Sequence, residues 1–194
     1  LPAKAAFGER FVPMYWDWKA HLGARYAIQR TRIESEGLTE FSLLSDGEDW
    51  CAAPTFSPDG ARIVWACSDM QTGSGIYIAA GDGSNVALLM DQRFADDFAW
   101  RTDGEAFAFS SLHVVDRFNA WYDAYLWQGG DSVIALSNGE RARNPAFSPD
   151  GRELLVVTNE AQGNQLARFT VDRRTETLTD YSDHTQLSSP RFSP

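Results

Sequence analysis

The side chains best suited to chemistry stand together between Ser110 and Asp123, a stretch that holds His113, Asp116, Arg117, Trp121 and Tyr122. An imidazole, a carboxylate, a guanidinium and two aromatic rings can hold a polar partner through charge-assisted hydrogen bonds and ring contacts. They do not form a catalytic set. A hydrolase nucleophile turn reads G-x-S-x-G between a strand and a helix, and neither Gly73-Ser74-Gly75 nor Gly81-Asp82-Gly83-Ser84 fits it. The histidines, His21, His113 and His184, lie far apart and lack ligand spacing with the cysteines, so no metal site is expected. No phosphate loop or dinucleotide fingerprint occurs, and no cofactor is expected. Asp96-Asp97 and Asp46 with Glu48-Asp49 read as solvated turns, against a calcium ion as the alternative.

The elements that must position those side chains announce themselves by repetition. Phe56-Ser57-Pro58-Asp59-Gly60 recurs as Phe147-Ser148-Pro149-Asp150-Gly151, more loosely as Trp100-Arg101-Thr102-Asp103-Gly104, and in part as Phe192-Ser193-Pro194. The aromatic anchors are 44, 47 and 45 residues apart, a period that marks a repeat architecture. Pro58 and Pro149 preset φ for the second position of a type I turn. Asp59, Asp103 and Asp150 suit the third position, and Gly60, Gly104 and Gly151 supply the positive φ of the exit. Each motif is therefore expected to join two antiparallel strands.

An apolar run follows each turn: Ile63 to Cys67, Ala106 to Phe109, and Leu154 to Val157. A strand without a polar face is buried on both sides. A weaker third strand follows (Gly75 to Ile78, Ala124 to Trp127, Gln165 to Val171), then a turn (the last of these Asp172 to Thr175), then a fourth strand (Val86 to Met90, Val133 to Leu136, Leu178 to Tyr181). Four strands per roughly 45 residues predict an all-β fold, a β-propeller of four-stranded antiparallel blades. The expected blades are 51–94, 95–141 and 142–188, with 189–194 starting another. Residues 1–50 are expected to form an N-terminal segment and a partial first blade, with Tyr26 to Ile33 as its third strand and Leu38 to Leu44 as its fourth. The third repeat is longer by a loop, Ser110 to Asp123, between its second and third strands. In a propeller that loop shares a rim with the fourth-to-first connections, opposite the Ser-Pro-Asp-Gly turns. It reads as a binding surface, or as packing in which Phe118 and Trp121 tuck over the ring.

Seventeen basic against 27 acidic residues give a net charge of −10. Nucleic acid is an unsuitable partner for such a chain, since phosphate recognition needs a basic stripe. No apolar run approaches the ~18 residues of a membrane span. The chain opens on Leu1 and ends inside a motif, which reads as an incomplete ring, a piece of a longer protein. If Phe56 pairs with Arg62 across the turn, the same register sets Cys51 opposite Cys67. A cross-strand disulfide and two buried thiols are both compatible with that placement.

The repeated F-S-P-D-G followed by an apolar strand resembles the WD40-like repeat of the TolB family, also found in the propellers of tricorn protease and of dipeptidyl peptidase and prolyl oligopeptidase. The resemblance runs from about Leu38 to the end. It implies a propeller whose rim or channel binds protein or peptide, and a periplasmic or extracellular location. It transfers no catalytic residue. The two functions it implies are a non-catalytic binding module and the substrate-gating propeller of a serine peptidase whose catalytic domain lies outside this chain.

Overall fold

The Ser-Pro-Asp-Gly turns close by a bonding scheme that their residue types dictate. Gly60 N donates to Ser57 O (2.8 Å), and Ser57 N donates to Arg62 O (2.8 Å). The Ser57 hydroxyl donates to Asp59 Oδ1 (2.6 Å) and accepts from Arg62 N (2.9 Å), while Asp59 Oδ1 also accepts from Ala61 N (3.0 Å). Ser148 and Asp150 repeat the scheme. In the middle copy, Arg101 Nε takes the place of the serine hydroxyl on Asp103, at 2.9 Å. These bonds hold the Asp59, Asp103 and Asp150 carboxyls below the usual carboxylate range; the side-chain donors Ser57, Arg101 and Ser148 contribute most.

The structure, a computed structural model, describes residues 11–37, 50–69, 73–92, 95–160, 163–170 and 173–193. Three four-stranded antiparallel sheets follow one another along the chain. The first contains β1 (Trp50–Phe56), β2 (Arg62–Asp69), β3 (Gly73–Ala80) and β4 (Ala87–Met90). The second contains β5 (Asp96–Trp100), β6 (Phe107–Val114), β7 (Ala120–Trp127) and β8 (Val133–Ala135). The third contains β9 (Arg143–Phe147), β10 (Leu154–Glu160), β11 (Gly163–Thr170) and β12 (Arg173–Thr177). Each sheet orders its strands as they occur in the chain, and the sheets do not close a ring among the described residues.

Sheets stack face to face through the apolar second strands. Val64, Ala66 and Ile76 of the first meet Phe98, Trp100, Phe107 and Phe109 of the second. Ala106, Ala108 and Leu126 on the second meet Leu154, Val156 and Phe169 of the third. Each anchor ring needs a sheet before it. Trp100 is buried against the first sheet and donates Nε1–H to Thr55 O (3.1 Å), whereas Phe56 is 56% exposed.

Three details correct the sequence reading. The first hairpin pairs Phe56 with Ile63, not Arg62. One extra residue on β1 between Ala52 and Thr55 then shifts the ladder, and this shift is what sets Cys51 opposite Cys67. The two are joined by a disulfide with Cα atoms 4.0 Å apart. Corresponding irregularities occur in β5 and β9, each with a left-handed residue three before its anchor: Ala53, Asp97 and Asn144, at φ of 55°, 56° and 53°.

Secondly, the expected strand from Tyr26 to Ile33 is helical, part of α1 (Phe11–Glu36). Its place before a turn and a Leu-Thr pair, like the third strands of the other repeats, pointed to a strand. The helix instead places Arg30 beside Glu34 and Arg32 beside Glu36, each pair at 2.9 Å, and Pro13 falls in the first turn, where a missing N–H costs nothing. Leu38 to Leu44 lies outside the described residues.

Thirdly, β12 covers Arg173–Thr177, where a turn was expected, and Leu178 to Tyr181 is not a strand. The chain still runs beside β11, with Leu178 N donating to Leu166 O (2.7 Å), but the Gln165 amide then stands in for the ladder.

Gly151 tests the turn chemistry. Its φ is +70°, and a Cβ there would stand 2.8 Å from Arg101 Cγ. Gly151→Val is expected to cost about 2 kcal/mol or more, read as a lower urea midpoint, because a β-branched residue resists left-handed backbone.

Candidate functional site

The residues singled out between Ser110 and Asp123 do not form a long loop. β6 and β7 pair without interruption to Val114 opposite Ala120, so His113, Trp121 and Tyr122 are strand residues and only 115–119 turn. The extra residues of this repeat lengthen a hairpin, because alternating large side chains favour continued pairing. Asp116 is consumed by the turn. It accepts from Phe118 N (2.8 Å), Asn119 N (2.9 Å) and Asn119 Nδ2, and the Asn119 side chain foremost lowers its carboxyl pKa. Arg117 is exposed at the tip, and Phe118 beside it is 88% exposed, so it does not tuck over the sheets.

The base of the hairpin is held by a buried carboxylate. Asp123 is fully buried and takes three donors: Ser137 Oγ (2.7 Å), Gly139 N (2.8 Å) and His113 Nδ1 (2.8 Å). With the carboxylate accepting, Nδ1 of His113 carries a proton. Ser137 Oγ in turn accepts from Ala124 N (3.0 Å). The third sheet repeats this clamp 42 residues on. There Gln165 accepts from Thr179 Oγ1 (3.0 Å) and Tyr181 N (2.9 Å), and Thr179 Oγ1 accepts from Leu166 N (2.9 Å). In both sheets the clamp replaces the end of the fourth strand, and in the second it precedes the connection into the third. The Asp123–His113 pair is half of a catalytic relay, but no serine or cysteine partners Nε2 among the described residues.

Beside this hairpin lies a cleft of about 420 Å³, lined by Phe118, Trp121 and Tyr122 from the second sheet and by Arg141, Arg143 and Asn159 from the approach to the third and its β10. The Arg141 guanidinium lies over the Trp121 ring, 4.5 Å from its centroid. Trp121 Nε1 is buried and has no acceptor among the described residues. Burial, then the charges of Asp96 and Asp97, raise the Tyr122 phenol pKa, and Arg143 opposes them. Asp97 turns inward, where burial and then Asp96 push its carboxyl up against the hydrogen bonds from Asn144 and Ser110.

Of the five residues marked in the sequence, Trp121 and Tyr122 thus line the cleft, while His113, Asp116 and Arg117 do not. Arg141, Arg143 and Asn159 were missed. The signal for two of them was available, since Arg141-Ala142-Arg143 is a fourth-to-first connection on the same rim.

No family model matches the sequence, and no curated protein does. Among solved structures, a protein described as a TolB from Agrobacterium tumefaciens is 21% identical with a TM-score of 0.52, over 72% of this chain and 65% of that one. The β-propeller domain of the Trilobed protease from Pyrococcus furiosus, described as having an open velcro topology, is 14% identical at 0.53, over 67% and 42%. Tricorn protease is 11% identical at 0.52, over 62% and 13%. The three sheets are therefore blades of a β-propeller, the fold these structures share. The chain spans less than two thirds of each of these structures.

Proposed function

We propose that this chain is a non-catalytic propeller module that holds a protein or peptide partner in the cleft between its second and third sheets. The observation that supports this most is the lining itself. Rings and cationic or amide side chains from two adjacent sheets meet there, without a serine, cysteine, histidine or carboxylate to react. Such a surface suits recognition: rigid aromatics and arginine are the residue types that dominate binding energy. The Cys51–Cys67 disulfide supports a periplasmic or extracellular setting, where such bonds persist. No described helix is long and apolar enough to cross a membrane.

Selection of random peptides on the immobilised chain, scored against Trp121→Ala, tests the reading. Trp121→Ala is expected to weaken the selected peptides about 30-fold, the loss typical of a central tryptophan, and to cost no more than about 2 kcal/mol of stability. Arg117→Ala, at the exposed tip, should change affinity no more than about threefold. Peptides that bind wild type and Trp121→Ala alike would overturn the assignment.

A further inference from the structure

Resting on that reading of the cleft, we infer that the partner presents a carboxylate, from an acidic side chain or a chain terminus, to Arg141 and Arg143. The molecule carries a net charge of −10, yet the charged residues that line this cleft are two arginines and no acid. Three other arginines of the sheets meet carboxylates within the molecule: Arg62 faces Glu105 (3.5 Å), Arg101 faces Asp103 (2.9 Å), and Arg168 faces Glu153 (3.3 Å). Among the described residues Arg141 and Arg143 have no such partner.

Arg141 is also placed in advance. A guanidinium stacked on an indole face keeps its in-plane N–H groups available, and that edge matches the two oxygens of a carboxylate. Part of the ordering that binding would otherwise demand is thus already done in the free protein. Asp96 and Asp97 act on Tyr122 and do not line the cleft. Asp97 is engaged with Asn144 and Ser110, and neither aspartate forms an ion pair with Arg141 or Arg143 among the described residues. A polyanion such as nucleic acid would have to approach an acidic surface to reach two cations. A single carboxylate on a peptide meets no such barrier.

The test uses the full 194-residue chain with 15N-labelled tryptophan. The indole N–H peak of Trp121 is identified by its loss in Trp121→Phe. Three capped tetrapeptides are titrated, identical except that one carries an internal glutamate, one glutamine in its place, and one the same glutamine with a free C-terminal carboxylate. The expected result is a saturable shift with millimolar affinity for at least one carboxylate peptide, at least about tenfold tighter than for the neutral one. Whichever of the two binds more tightly identifies the source of the carboxylate. Arg143→Gln should abolish the preference while leaving the remaining amide spectrum in place, and Arg143→Lys should restore part of it. Equal affinity for the glutamate, glutamine and free-terminus peptides overturns the carboxylate inference and leaves peptide binding standing. No shift with any peptide overturns both.

Discussion

Replacing Asp123 with alanine is expected to destabilise the sheets by about 3 kcal/mol or more, the largest single loss among the side chains considered. The carboxylate is fully buried and takes Ser137 Oγ, Gly139 N and His113 Nδ1 at 2.7–2.8 Å. Its removal strands a hydroxyl, a backbone N–H and an imidazole, and it opens a void in a fully packed part of the second sheet. A surface aspartate would cost a few tenths of this, because water would replace the protein donors. Gln165→Ala supplies the internal control. It breaks the corresponding clamp of the third sheet, but a neutral amide gives up weaker bonds, and the loss should be about 1–2 kcal/mol in all. Urea unfolding followed by tryptophan fluorescence reads both. A loss at Asp123 no greater than at Gln165 would show that the carboxylate's charge adds nothing to the clamp. The same variant should loosen the cleft, because the Asp123 bond to Gly139 N fixes a residue whose added Cβ would stand 3.8 Å from Trp121 Nε1.

The second large effect is expected from the disulfide. Cys51 and Cys67 are separated by 16 residues and joined across the first two strands of the first sheet. For a closed loop of about this length, the loss of chain entropy in the unfolded state stabilises the folded state by about 3 kcal/mol. Cys51→Ala with Cys67→Ala should lower the unfolding free energy by that order. Reduction of the wild type should move its midpoint in the same direction, while reductant should leave the double variant unmoved. The loss should appear mainly as destabilisation of the first sheet, read by hydrogen exchange in β1 and β2. A wild-type midpoint indifferent to reductant would contradict the expectation.

Much of the fold was legible because its cues are local. Ser57-Pro58-Asp59-Gly60 and its copies encode their own dihedrals and hydrogen bonds. The apolar runs after them are buried wherever sheets stack, so three blades follow from turn chemistry and burial alone. Local pattern failed where two structures fit it equally. Tyr26 to Ile33 stands where a repeat would place its third strand, but i,i+4 Arg–Glu pairs and good helix formers decide for a helix. It also failed where a side chain displaces the backbone, since nothing in Leu178 to Tyr181 says that Gln165 will take over its ladder.

What the amino-acid order by itself determined is the repeat, its turns, the identity of the buried strands and the rim shared by the β6–β7 hairpin and the connection into the third sheet. Only the tertiary structure decided which side chains meet there. Arg141 and Arg143 come into one cleft with Trp121 because the third sheet packs on the second, and Asn159 joins them from a separate hairpin. Asp116, by contrast, is used up within its own turn. A turn depends on dihedrals within four or five residues and can be read from them. A cleft depends on the separation and twist of two sheets, which the packing of every side chain between them sets together.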